Sequence, residues 1–213
     1  MKTNPFPYKY IAIEGIIGAG KTTLTKKIAN DFGSKLILEQ FEENSFLPKF
    51  YKDPARYAFP LELSFLADRY QQLKSVLSKP DLFYPNTIAD YFIFKSLIFA
   101  QNNLSDDEFI LYSKLFTIIE NTLPKPDLLV YLLLSPEKAL QNIKKRGRDY
   151  EQDIKISYLQ DIQENYLDYI NKQNHLRVVI IKTSDLDFVN NSEDYEKILH
   201  IISKNYDKGV HTI

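Results

Sequence analysis

The sequence has no cysteine, no tryptophan, one methionine and only six glycines in 213 residues. The missing cysteines exclude a disulfide framework and any thiolate zinc site, and the three histidines, His175, His200 and His211, have no metal-ligand spacing. An excess of one charge sign is lacking as well. With 27 Lys+Arg against 28 Asp+Glu the net charge is −1, so there is no surplus positive field for a nucleic-acid backbone or an anionic membrane. No apolar run approaches the ~20 residues of a membrane span, and Leu128 to Leu134 is only of strand length. The opening Met-Lys-Thr-Asn-Pro-Phe-Pro lacks the apolar centre of a signal peptide. A cytoplasmic protein is expected, with residues 1–213 forming one α/β domain and with neither nucleic acid nor membrane as partner.

Gly15, Gly18 and Gly20 supply half of this scarce glycine within six positions. The run Gly15-Ile16-Ile17-Gly18-Ala19-Gly20-Lys21-Thr22, followed by Thr23, has the G-x-x-x-x-G-K-[ST] spacing of a phosphate-binding loop. It follows the apolar stretch Lys9 to Ile13 and precedes a helical pattern from Lys21 to Phe32, which is the context the motif requires. Backbone N–H groups in such a loop face a phosphate, and the helix N-terminus adds positive potential at the same point. Lys21 is expected to reach the β/γ-phosphates of ATP and the Thr22 hydroxyl to bind Mg²⁺.

Further strand-length apolar runs occur at Lys35 to Leu38, Thr87 to Ala89, Leu128 to Leu133 and Arg177 to Ile181. Helical segments are expected at Pro60 to Leu77, Phe92 to Ala100, Asp106 to Thr122, Pro136 to Lys145, Ile156 to Asn174 and Ser192 to Asn205. This alternation predicts a five-stranded parallel sheet with helices on both faces, the first and third strands being neighbours. Ligands of such sheets lie beyond the carboxyl ends of the strands. Glu39 and Asp90 fall there, after the second and third runs, and could share the work of accepting a hydroxyl proton and holding Mg²⁺. Lys144 to Arg148 packs four cations and a glycine into five residues, which fits a mobile lid over residues 144–151 whose Arg146 and Arg148 meet a transferring phosphoryl group.

Taken in order from Ile11 to about Leu199, these motifs resemble the deoxynucleoside kinase family, in particular its bacterial purine branch. The resemblance implies a P-loop kinase in which Glu39 contacts the 5′-hydroxyl, while Tyr51 and Glu151 hold the 3′-hydroxyl of a 2′-deoxyribose. It also implies that Asp90 is the Mg²⁺-linked acid, that Arg146 and Arg148 are lid arginines, and that Asp187-Phe188 packs on the ATP adenine. A homodimer joined through helices beside the sheet is implied too, and the apolar content of Phe92 to Ala100 and Phe109 to Ile119 permits it. One departure is Tyr91, which stands where the family has an arginine. The positive charge near the 5′-hydroxyl must then come from elsewhere, Lys95 being one candidate, or be absent.

The second departure is Glu62, which replaces a base-reading glutamine. Glu62 and Arg69 lie two helical turns apart on one face, so an acceptor and a donor are expected to read the base together. Guanine offers N1–H and its 2-amino group to Glu62 and O6 or N7 to Arg69; adenine offers its 6-amino group and N7. Cytosine also carries an amino donor, so this pair alone admits a pyrimidine. The expected activity is phosphorylation of a purine deoxynucleoside. A nucleoside monophosphate kinase and a non-catalytic nucleotide-binding module remain the alternatives.

Overall fold

The computed structural model describes residues 3–40, 44–78 and 83–213. Six strands form one sheet: β1 (Tyr10–Glu14), β2 (Lys35–Ile37), β3 (Thr87–Ala89), β4 (Leu128–Leu133), β5 (Arg177–Lys182) and β6 (Gly209–Thr212). Their order is β2-β3-β1-β4-β5-β6, and every adjacent pair is parallel. β1 is buried along its whole length, as a central parallel strand must be when helices cover both of its faces. The expected neighbourhood of β1 and β3 is present, with Ile11 beside Ile88.

The sheet has one strand more than expected. β6 holds a single aliphatic residue, Val210, between Gly209 and His211, so it has no apolar run to betray it, and it forms by pairing with the edge of β5. The helices are α1 (Lys21–Phe32), α2 (Leu47–Lys52), α3 (Pro54–Leu77), α4 (Lys95–Asn103), α5 (Asp106–Glu120), α6 (Pro136–Arg146), α7 (Ile156–Asn171) and α8 (Ser192–Ile202). α2 is an addition to the sequence reading, and α3 starts six residues before the expected Pro60. Pro54 suits the first turn of α3, where no N–H is needed, whereas Pro60 lies inside it and denies the Arg56 carbonyl its usual donor. Packing offsets that loss: Ala58, Leu61 and Phe65 form a small core with Phe50 of α2.

α4 begins three residues later than expected. The Phe92 N–H is bound by the Glu14 carboxylate at 2.6 Å, and tight turns from Phe92 and Ile93 to Lys95 and Ser96 precede the helix. Phe92, Ile93, Phe94, Ile98 and Ala100 are at most 1% exposed and belong to the core of the chain, while Leu97 and Phe99 are partly buried. On α5, by contrast, Ile110, Leu111 and Ile118 are each more than half exposed.

Candidate active site

The strand order reverses around β1, and the carboxyl ends of β1, β2 and β3 open onto one crevice. The loop after β1 is fixed by its glycines. Gly18 has φ +84° and a Cβ there would lie 2.5 Å from the Ala139 carbonyl oxygen. Gly20, the N-cap of α1 with φ +87°, would drive a Cβ to within 2.7 Å of the Phe188 ring. The loop is therefore pressed between α6 and the turn after β5. The Asn142 side chain adds a second link to α6, donating to the Gly18 carbonyl at 2.9 Å. Lys21 Nζ donates to the carbonyls of Gly15 and Ile16, at 2.8 and 2.9 Å.

Three acids stand at the strand ends. Asp90 accepts from Thr22 Oγ1 at 2.6 Å and from the Glu39 N–H at 2.8 Å, so it ties the start of α1 to the end of β2. A hydroxyl and a carboxylate oxygen thus converge beside the phosphate loop. That is a hard, all-oxygen donor pair of the kind Mg²⁺ takes when phosphates and water complete its shell. Among the described residues no cluster of three or more His, Cys, Asp or Glu forms a self-sufficient metal cage.

Glu39 is held by two buried cations. Arg69 Nε and Nη2 donate to its Oε1 at 2.9 and 2.6 Å, and Lys95 Nζ lies 2.5 Å from its Oε2. Burial pushes the Glu39 carboxyl up, but Lys95 and Arg69 outweigh it and hold the group well below the usual carboxylate range. Lys95 thus supplies positive charge beside Glu39. Arg69 departs from its expected part as a base reader: three of its N–H bonds are committed, two to Glu39 and one to Ser96 Oγ at 2.7 Å. Its place on α3 is as expected, but its guanidinium points to the acid at the end of β2.

Glu14, the third acid, was missed by the sequence reading. It is fully buried, accepts from the Phe92 N–H at 2.6 Å and from the Tyr166 hydroxyl at 2.9 Å, and connects β1 with the start of α4 and with α7. Burial raises its carboxyl from 4.5 to about 7, against the pull of Lys95 and Lys21. Burial, with Lys95 nearby, lowers the Lys21 ammonium from 10.5 to about 8. A lone glutamate closing an apolar strand was the available signal.

Two clefts meet at the loop. One is walled by a charged set that includes Lys21, Thr22, Glu39, Arg69, Asp90 and Lys95 and by an apolar set that includes Leu61, Phe65, Phe99 and Tyr158. Tyr51, Glu62 and Glu151 line it too, as do Arg146 and Arg148, both of which donate to the Glu151 carboxylate. Tyr51 stacks on Tyr150, with ring centroids 5.8 Å apart. The other cleft runs over Gly20, Thr23, Asn142, Lys145 and Val189, and continues past Ala19, Asp187 and Phe188. Gly18, Lys21, Thr22 and Arg146 line both clefts. Ile17 faces the first cleft, and Ile16 is buried beneath the loop. Tyr91 is absent from either wall: its ring is fully buried and its hydroxyl donates to Gln72 Oε1, because the chain turns inward after β3. Asn103, which the sequence reading passed over, lines the first cleft and donates to Glu62.

A family model described as deoxynucleoside kinase matches residues 11–206. The chain is 38% identical over 205 residues to a deoxyguanosine kinase of Bacillus subtilis (strain 168), covering 93% of this chain and 96% of that one. It is 32% identical to a deoxyadenosine kinase of Dictyostelium discoideum, covering 93% of this chain and 79% of that one. A solved structure of deoxyadenosine kinase from M. mycoides with bound dATP superposes with a TM-score of 0.78 at 27% identity, over 91% of this chain and 99% of the other.

Proposed function

The chain belongs to the deoxynucleoside kinase family and is a nucleoside kinase served by a nucleotide phosphate donor; from that premise we propose that it transfers the γ-phosphoryl of ATP to the 5′-hydroxyl of deoxyadenosine or deoxyguanosine, in nucleotide salvage. The observation that carries this reading is the shared wall. Lys21, Thr22 and Arg146 face both clefts, so a donor in one and an alcohol in the other would meet over the same cations.

In this reading the 5′-hydroxyl donates to Glu39. Because Lys95 and Arg69 keep that carboxylate ionised and weakly basic, its first task is to aim the alcohol's lone pair at the γ-phosphorus, and it takes the proton late in a loose transfer. Lys21, Arg146 and Arg148 balance charge on the moving phosphoryl group. Thr22 and Asp90 would hold Mg²⁺, which supplies charge neutralisation at the phosphates. Tyr51 and Glu151 hold the 3′-hydroxyl, Glu62 reads the base, and Asp187 and Phe188 flank the donor's adenine. Within residues 144–151, the stretch past Gly147 acts as the lid of a single domain, with Arg146 at its base. A second copy is proposed to cover the α5 face that bears Ile110, Leu111 and Ile118. Among the described residues no helix is long and apolar enough to cross a membrane. Residence in the cytoplasm, where ATP is supplied, completes the reading.

A coupled assay with ATP, Mg²⁺ and each of four deoxynucleosides, with a deoxynucleoside monophosphate as control acceptor, tests it. Turnover should favour the two purines. Turnover confined to the monophosphate, or preferred turnover of deoxycytidine, would overturn the acceptor assignment. Glu39→Gln should lower kcat by ~10²–10⁴ with ATP affinity kept, and full activity in that variant would remove Glu39 from the chemistry.

A further inference from the structure

Glu62 is held in a manner that constrains where it can carry a proton. It is 2% exposed, its Oε1 accepts from Asn103 Nδ2 at 2.7 Å, and its Oε2 is buried with no partner among the described residues. Both Glu62 and Asn103 line the first cleft beside Phe65, Phe99 and Tyr158. An amide N–H donates better to the unprotonated oxygen of a carboxylic acid than to its hydroxyl oxygen. A proton on Glu62 therefore resides on Oε2, the oxygen left over for a ligand. The carboxylate offers two acceptors; the neutral acid offers one acceptor, Oε1, and one donor, Oε2.

These two faces match different sets of bases. Guanine presents two adjacent donors, N1–H and its 2-amino group, and also an acceptor beside a donor, O6 and N1–H. Adenine presents a donor and an acceptor, its 6-amino group and N1, and cytosine presents the same pair as its 4-amino group and N3. We infer that Glu62, with Asn103 confining its proton to Oε2, selects the nucleobase by its protonation state: the ionised form takes deoxyguanosine alone, and the neutral form admits deoxyadenosine and deoxycytidine as well. The inference rests on the proposed base-reading role of Glu62.

The groups that face Glu62 are Arg69 from α3, Glu39 after β2, Lys95 and Asn103 from α4, Tyr112 from α5, and Tyr158 and Tyr51 across the cleft. Burial raises the Glu62 carboxyl to about 7 even though Arg69 and Asn103 pull it down. Burial holds the three tyrosines above their ordinary value, and Glu39 stays ionised, so Glu62 is the member of this group that changes charge near neutrality. Lys21 and Glu14 titrate in the same range but act on every acceptor alike, and a ratio of two substrates cancels them.

The test is the ratio of kcat/KM for deoxyguanosine to that for deoxyadenosine, measured between about pH 6 and about pH 8, with deoxycytidine as a third acceptor. The wild-type ratio should rise about tenfold across that range, with deoxycytidine following deoxyadenosine. A ratio that changes less than roughly threefold overturns the inference. Glu62→Gln, a permanent donor–acceptor, should admit deoxyadenosine beside deoxyguanosine at a ratio that does not depend on pH. Asn103→Ala should move the bend at which the wild-type ratio starts to rise to higher pH, because the lost donor had favoured the ionised form; an unmoved bend removes Asn103 from the mechanism. If Glu62→Gln leaves the ratio at the wild-type value at about pH 8, Glu62 does not meet the base and the underlying reading fails. If Glu62→Gln shifts the ratio while the wild-type ratio is flat, only the protonation step fails.

Discussion

Replacing Glu14 by glutamine should stabilise the protein in mild alkali and leave it unchanged in mild acid. The glutamine carbonyl can accept from the Phe92 N–H and its amide can donate to the Tyr166 hydroxyl, so both bonds of the buried carboxylate are kept. What disappears is the cost of burying the charge. In the folded state the carboxyl is raised from 4.5 to about 7. Below about pH 4.5 both the folded and the unfolded chain hold the proton. Between about pH 4.5 and about pH 7 only the folded chain does, so wild-type stability declines as pH rises, and above that range the penalty is constant. At ~1.36 kcal/mol per pH unit the full penalty is on the order of 3 kcal/mol. That figure is already net of the attraction of Lys95 and Lys21, which face Glu14 and would lose a counter-charge in the variant. The expected gain is therefore ~1–3 kcal/mol at about pH 8 and under ~0.5 kcal/mol at about pH 4. Urea unfolding followed by far-UV circular dichroism at the two pH values measures both. A second consequence is kinetic: with Glu14 neutral, the Lys21 ammonium should lose its proton at lower pH and bring the alkaline limb of kcat/KM down with it. Equal effects at the two pH values, or destabilisation at the higher one, would refute the picture of a buried charge carried at a cost.

Acid should act in the opposite sense on Glu39. Its folded-state carboxyl is held below the usual range, so its stabilising contribution is complete at neutral pH, starts to fall below about pH 4 and is lost as pH drops through the folded value. Thermal unfolding of Glu39→Gln should show a shallower acid limb than the wild type. Tyr51→Phe should lower kcat/KM for 2′-deoxynucleosides by ~10-fold and leave a 3′-deoxy analogue unaffected; equal losses on the two would remove the tyrosine from the sugar. Ile118→Asp puts a charge on a residue 68% exposed on α5, and light scattering should register a drop from dimer to monomer mass. A mass that does not change would place any interface elsewhere.

Much of this fold was legible because its signals are local. The phosphate loop announces itself through three glycines and a Lys-Thr pair, and buried parallel strands such as Leu128–Leu133 read as unbroken apolar runs. Strand ends then located Glu39 and Asp90 without further help. Pairing across the crevice was not legible, since it depends on tertiary placement. Arg69 shares a helix with Glu62 but bonds to Glu39, 30 positions away, and Asn103 reaches Glu62 across 41. The inward turn that removes Tyr91 from the cleft follows from the Glu14 bond to Phe92, 78 positions apart, which no periodicity records. β6 carries too little hydrophobicity to register before it docks on β5.

The grip of α6 on the phosphate loop divides its two arginines mechanically. Ala139 and Asn142 fasten the shaft of that helix to Gly18, and Arg146 is its last residue. Gly147 follows with φ +76° and open space around it, so any swing of this arm pivots there, leaving Arg146 a stationary post and making Arg148 the travelling hand. Amide exchange should step from slow to fast at that glycine; slow exchange continuing through residues 148–151 would mean the whole arm is bolted down.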